Sequence, residues 1–173
     1  MSSTLNRHQT AVSSKSSIDI RDRALHLVDL ENLARGPGQG GVAYRTAWDD
    51  YTFSAGLNEQ DHVEIASCGL VMAEAAFSLP TRYPKHCANG ADGAENLLLG
   101  IVGPDFVARR YEWLVIGSGD HAFVPYALEV QRLGGKVRIV SAPGTRSAEF
   151  SGNGFAIRDL VSRPVESELA LIA

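Results

Sequence analysis

Ala24-Leu25-His26-Leu27-Val28-Asp29-Leu30-Glu31-Asn32-Leu33 is the stretch whose reading decides the fold. Its apolar run ends at Asp29, and a second carboxylate and an amide follow within three residues. A short apolar run of this kind, followed by a Gly/Pro loop, reads as a buried strand. Ligands of open α/β sheets bind beyond the carboxyl ends of such strands. Asp29, with Glu31 and Asn32 after it, therefore stands where chemistry is usually done. The same Asp would serve equally well as a cap on the following turn.

The second signal of this kind is Glu112-Trp113-Leu114-Val115-Ile116-Gly117-Ser118-Gly119-Asp120, an apolar strand running into a Gly-Ser-Gly turn and then a carboxylate. Between the two lie helical patterns at 42–54, 70–77, 90–102 and 106–111, a strand at 61–67 and a weak strand at 82–87 that contains Pro84. A helix over 121–133, ended by Gly134-Gly135, and a strand over 136–141 follow; 155–160 reads as a strand or a turn of helix. Trp48 and Tyr51 suit a core, with base stacking as the functional alternative. This alternation predicts an α/β, Rossmann-like three-layer sandwich with a central, mainly parallel sheet. Right-handed crossovers limit its topology, and strand order 3-2-1-4-5 makes the first and fourth strands neighbours. Asp29 and Asp120 would then face one crevice, which Asp92 and Glu95, at the start of the helix before strand four, could reach. Those two share a helix face, although Asp92 with Glu95 three residues later also fits a capping box.

Composition bounds the rest. The 173 residues are 45% hydrophobic and 21% charged, as expected of one soluble globular domain. A net charge of -4 argues against a generally basic nucleic-acid binder, but allows an acidic cleft ringed by bases. Cys68 and Cys87 have neither metal-ligand nor redox spacing, so both are expected to be reduced, buried and cytoplasmic. No apolar run is long enough to span a bilayer, and the serine-rich first 20 residues lack the apolar core of a signal peptide. The expected division is a disordered tail over 1–20, a domain over 21–160 and a C-terminal tail over 161–173. Gly36, Gly38 and Gly41 formally match a dinucleotide fingerprint, but six residues separate Asp29 from Gly36, and a flexible loop is the better reading.

Val28-Asp29-Leu30-Glu31-Asn32-Leu33 resembles the D-x-E-N segment of NYN domains, which belong to the PIN-like nuclease superfamily. Ser118-Gly119-Asp120-His121-Ala122-Phe123-Val124-Pro125 resembles their S-G-D-x-D-F-x-P segment, and Gly135 to Val140 the strand after it. Gly90 to Asn96 is similar to their acidic central helix start. The likeness spans about residues 23–142. It implies a PIN-like fold and a metal-dependent endoribonuclease that cleaves single-stranded RNA. Asp29 and Asp120 would be the main Mg²⁺ or Mn²⁺ ligands, with Asp92 and Glu95 completing the catalytic cluster. Asn32 would orient the site or a phosphate, and Ser118 would support it by hydrogen bonding. Arg35 and Arg45, with Arg82, Lys85, Arg109 and Arg110, are candidate RNA contacts. No membrane partner is implied, and a homodimer is compatible with this reading.

The chain departs from the family pattern in two places. Ala122 replaces the second Asp, and Glu95 stands where many relatives have Asp. A degenerate domain that binds RNA or a protein partner without cutting is therefore the alternative. A nucleotide-binding Rossmann-like domain is a third reading. The misplaced glycines oppose it, as does Ser67-Cys68-Gly69 at the end of the second strand, where an acid is expected.

Overall fold

The computed structural model describes residues 23–164. The expected tail at 1–20, and the end of the tail at 161–173, lie outside the described residues. Six strands form one sheet: β1 (Ala24–Asp29), β2 (His62–Ser67), β3 (Lys85–Cys87), β4 (Trp113–Gly117), β5 (Lys136–Ser141) and β6 (Ala156–Asp159). Their order is β3-β2-β1-β4-β5-β6, and every pairing is parallel. The fold is thus the expected α/β three-layer sandwich, with a sixth strand added beyond the expected five. The segment 155–160 resolves as strand because Arg138 to Ser141 of β5 offer it a free edge.

β1 is the central strand, and all six of its residues are buried. A parallel strand covered on both faces has no solvent side, which is why its sequence is apolar without alternation. Ala24 and Val28 pack with α1 (Leu30–Leu33), α2 (Gly41–Ala55) and α3 (Gly69–Ala75). Leu25 and Leu27 pack with α4 (Gly93–Ile101), α5 (Pro104–Arg110) and α6 (Val124–Arg132). Each fully buried leucine contributes about 2 kcal/mol. β3 is shorter than expected: Pro84 precedes it, and the strand lies at the sheet edge, where a proline is tolerated. After β6 the chain turns along α2, where Arg163 N–H donates to Asp50 Oδ1 at 2.8 Å.

Trp48 and Tyr51 belong to the core, as expected, which closes them to base stacking. One expectation is corrected. Cys87 is exposed and Cys68 only half-buried, because both sit where strands run out at the sheet's carboxyl edge.

Tyr51 also explains the glycine that ends β4. A Cβ on Gly117 would lie 2.7 Å from Tyr51 Cε2. Tyr51 cannot retreat, since it is fully buried and its hydroxyl bonds His26 Nδ1 at 2.7 Å. Gly117→Ala should therefore cost about 1–3 kcal/mol of unfolding free energy. Urea denaturation measures it, and an unchanged midpoint would show that Tyr51 has room to move.

Candidate functional site

β1 ends on Asp29, and the chain turns at once into the four-residue helix α1. The Asp29 side chain starts that turn, its Oδ1 accepting the Asn32 N–H at 3.1 Å. The capping role and a functional role are thus combined in one carboxylate. Asp29 is only 2% exposed. β4 runs beside β1, with Val28 opposite Gly117, so the turn after β4 arrives against Asp29. The Ser118 hydroxyl donates to Asp29 Oδ2 at 3.4 Å and accepts the Asp120 N–H at 3.1 Å. Asn32 Oδ1 accepts the Gly119 N–H at 2.9 Å and joins the two turns. Gly119 is needed there: a Cβ would meet the Thr145 carbonyl oxygen at 2.7 Å.

The first turn of α4 supplies the third side. Glu95 lies close enough to share a hydrogen bond with Asp29. Burial, above all, pushes the Asp29 carboxyl up to about 7; the Asn32 N–H opposes the rise, and Glu95 and Glu31 add to it. Asp92 occupies the N-cap position of α4, yet its side chain caps nothing. The capping box is not made, so this carboxylate is left for other work.

These groups line a cavity of about 520 Å³ at the carboxyl edge of the sheet. Its wall holds four carboxylates, from Asp29, Glu31, Asp92 and Glu95, with Asn32, Cys68 and Thr145. Arg35 is the one cation among the described lining residues. Arg35 and Asp92, at φ 64° and 53°, are also the only described non-glycine residues with positive φ. Strained backbone of this kind collects at binding sites. The glycine-rich loop borders the cavity through Gly36 and carries no fingerprint helix start, since α2 begins only at Gly41.

Asp29, Asp92, Glu95, Asn32 and Arg35 are therefore brought together. Ser118 stands behind Asp29, fully buried. Asp120 is on the adjoining strand end, as the strand order requires, but its carboxylate is not in the cavity wall. It accepts the Ala122 N–H at 2.8 Å and meets His121 Nδ1 at 3.1 Å. Arg45 is on α2, outside the wall, held by Asp49 at 2.9 Å and by the Ser78 carbonyl at 2.8 Å. Lys85 is tied to the Pro80 carbonyl, Arg109 to Asp105, and Arg110 lies over the Phe106 ring. Arg82 stacks on Tyr83 beside a different cavity. Glu31, placed at this edge by its position after Asp29, lines the cavity as well. Thr145, in the loop after β5, lines it too and had no signal in the sequence.

The donor set is one of hard oxygens. Among the described residues no three His, Cys, Asp or Glu side chains converge at metal-ligand spacing. Mg²⁺ is commonly held by one or two carboxylates, with waters and substrate phosphate completing its shell. The Asp29–Glu95 pair fits that pattern.

Fold and site together define a Rossmann-like α/β domain with an acidic cavity at the carboxyl edge of its sheet. No protein-family model, curated protein or solved structure matches the chain. No described helix is long and apolar enough to cross a membrane.

Proposed function

We propose that the chain is a metal-dependent endoribonuclease acting on single-stranded RNA, in the manner of the NYN domains it resembles. The observation that carries the reading is the meeting of Asp29 and Glu95, from two separate elements, in an open cavity at the carboxyl edge of a parallel sheet. Asp29 and Glu95 would hold Mg²⁺ or Mn²⁺, with Asp92 in reach of the same space. The cation, when bound, would activate water and neutralise charge on the phosphodiester. Ser118 and the Asn32 N–H orient the Asp29 carboxylate, and the Asn32 side chain keeps the two turns in register. Burial holds the Asp29 carboxyl up at about 7, so a divalent cation binding there would compete with its proton.

One observation favours the second reading, a domain that binds RNA without cutting it. Asp120 spends its carboxylate on its own turn, and Ala122 brings none. Titrating Mn²⁺ and Mg²⁺ against the purified chain with labelled single-stranded RNA separates the two. The nuclease reading expects cleavage that rises with metal and stops with a chelator. RNA retention without cleavage at any metal concentration would establish the second.

A further inference from the structure

Arg35 sits where a glycine belongs. The Gly36 N–H donates to the Glu31 carbonyl at 2.9 Å and the Arg35 N–H to the Asn32 carbonyl at 3.2 Å. This pair of bonds is a Schellman motif, with Arg35 at its left-handed position, φ 64°. An L side chain there strains the backbone, and glycine removes the strain. The cost is carried on the rim of the acidic cavity. The guanidinium is exposed, and one of its five donors goes to the Pro143 carbonyl at 3.0 Å. That bond fixes its direction across the loop after β5, and its other donors have no partner among the described residues.

Charge gives those donors a purpose. Four carboxylates line the cavity and one cation faces them. Neighbouring cations are already committed, Arg45 to Asp49 and Arg146 to Asp159. A polyanion entering this space meets net repulsion everywhere except at Arg35. A planar guanidinium is also the group best matched to a phosphate.

We propose that Arg35 binds a backbone phosphate next to the one at the acidic centre, so that the cavity takes an oligonucleotide strand and discriminates against a mononucleotide. This rests on the nuclease or RNA-binding reading of the same cavity. Arg35 is a specificity-determining residue here, set apart from the carboxylates that would hold metal.

Strain and binding are separable by substitution. With Asp29 and the other carboxylates intact, the affinity for a short labelled, cleavage-resistant analogue of single-stranded RNA is measured at rising KCl with Mg²⁺ present. Arg35→Gly should raise the melting temperature by about 2 °C. It should also weaken RNA binding about tenfold and reduce the slope of log K against log salt by about 0.7. Arg35→Lys keeps the charge and the strain, so it should retain the slope without the gain in melting temperature. A mononucleotide should bind parent and Arg35→Gly equally. If Arg35→Gly is stabilised but leaves affinity and slope unchanged, Arg35 touches no phosphate and the inference falls while the cavity's function stands. A mononucleotide weakened as strongly as the RNA also overturns it. If the parent binds no RNA, the reading of the cavity fails and takes this inference with it.

Discussion

Asn in place of Asp29 is expected to abolish RNA cleavage and, at alkaline pH, to make the folded chain more stable. The Asp29 carboxyl is raised from 3.8 to about 7, chiefly by burial. The folded chain therefore holds this proton more tightly than the unfolded chain. Stability from this group is complete below 3.8 and is lost as pH rises to about 7. The loss above that point is on the order of 4 kcal/mol. The substituted amide would be neutral throughout and could still accept the Asn32 N–H. The variant's advantage should be near zero at acid pH, grow through the window and level off near pH 8. Urea denaturation across that range reads it. Cleavage should fall more than about 100-fold, beyond the loss typical of an outer-shell partner. Mn²⁺ should raise the melting temperature of the wild type and not of the variant, because a bound ion stabilises only the state that holds it. If Asp29→Asn destabilises at every pH, the carboxylate is a structural cap and the metal reading loses its centre.

This opposition between stability and function separates Asp29 from a residue retained for packing. A buried carboxylate beside a second carboxylate is unfavourable to the fold, and proteins keep such groups where they act. The capping bond to Asn32 does not account for it, since Asn or Ser would cap as well. Asp92 carries a milder form of the same signature: a left-handed backbone, a helix N-cap position and no cap made.

What the sequence revealed depended on how locally each feature is encoded. The β1 stretch is legible because burial on both faces leaves a run of apolar residues that stops at the sheet edge, and that edge is where Asp29 falls. The neighbourhood of β1 and β4 follows from crossover handedness. Asp92 and Glu95 both line the cavity, but not as one helix face: Asp92 stands before α4 with a left-handed backbone. The aim of the Asp120 carboxylate was not legible. A short polar side chain after a Gly turn can face a cavity or its own backbone, and the 3₁₀ turn at His121–Phe123 decides for the backbone. Arg45 was likewise ambiguous, since a helical arginine pairs with an Asp four residues on as readily as with a phosphate. The partnership of His26, Tyr51 and Asp61 left no pattern at all, because its members lie 25 and 35 residues apart.

That partnership carries the largest expected loss of stability. Asp61 has a side chain only 3% exposed, and it accepts three hydrogen bonds: Ala24 N–H at 2.7 Å, Asn58 N–H at 2.8 Å and His26 Nε2 at 3.3 Å. Burial alone would raise its carboxyl, but these donors, His26 first, hold it below its ordinary value. His26 is itself buried and held below its ordinary value, chiefly by desolvation. Its stabilising share is present above 6.5 and is lost as pH falls through the lowered value. This is opposite in sign to Asp29, three residues along the same strand. Asp61→Ala would strand all three donors at once, at a cost of about 3–5 kcal/mol. Against a total of roughly 5–15 kcal/mol, that leaves a marginal fold. Asp61→Asn keeps the acceptor oxygen and should cost less than Asp61→Ala. Urea midpoints of the two variants test the ranking. The network lies toward the amino end of the sheet, away from the acidic cavity, so the folded fraction of Asp61→Ala should keep the metal response of the wild type. A loss below about 1 kcal/mol would mean that water replaces the carboxylate, entering through the cavity of about 200 Å³ that His26 and Asp61 line with Arg138.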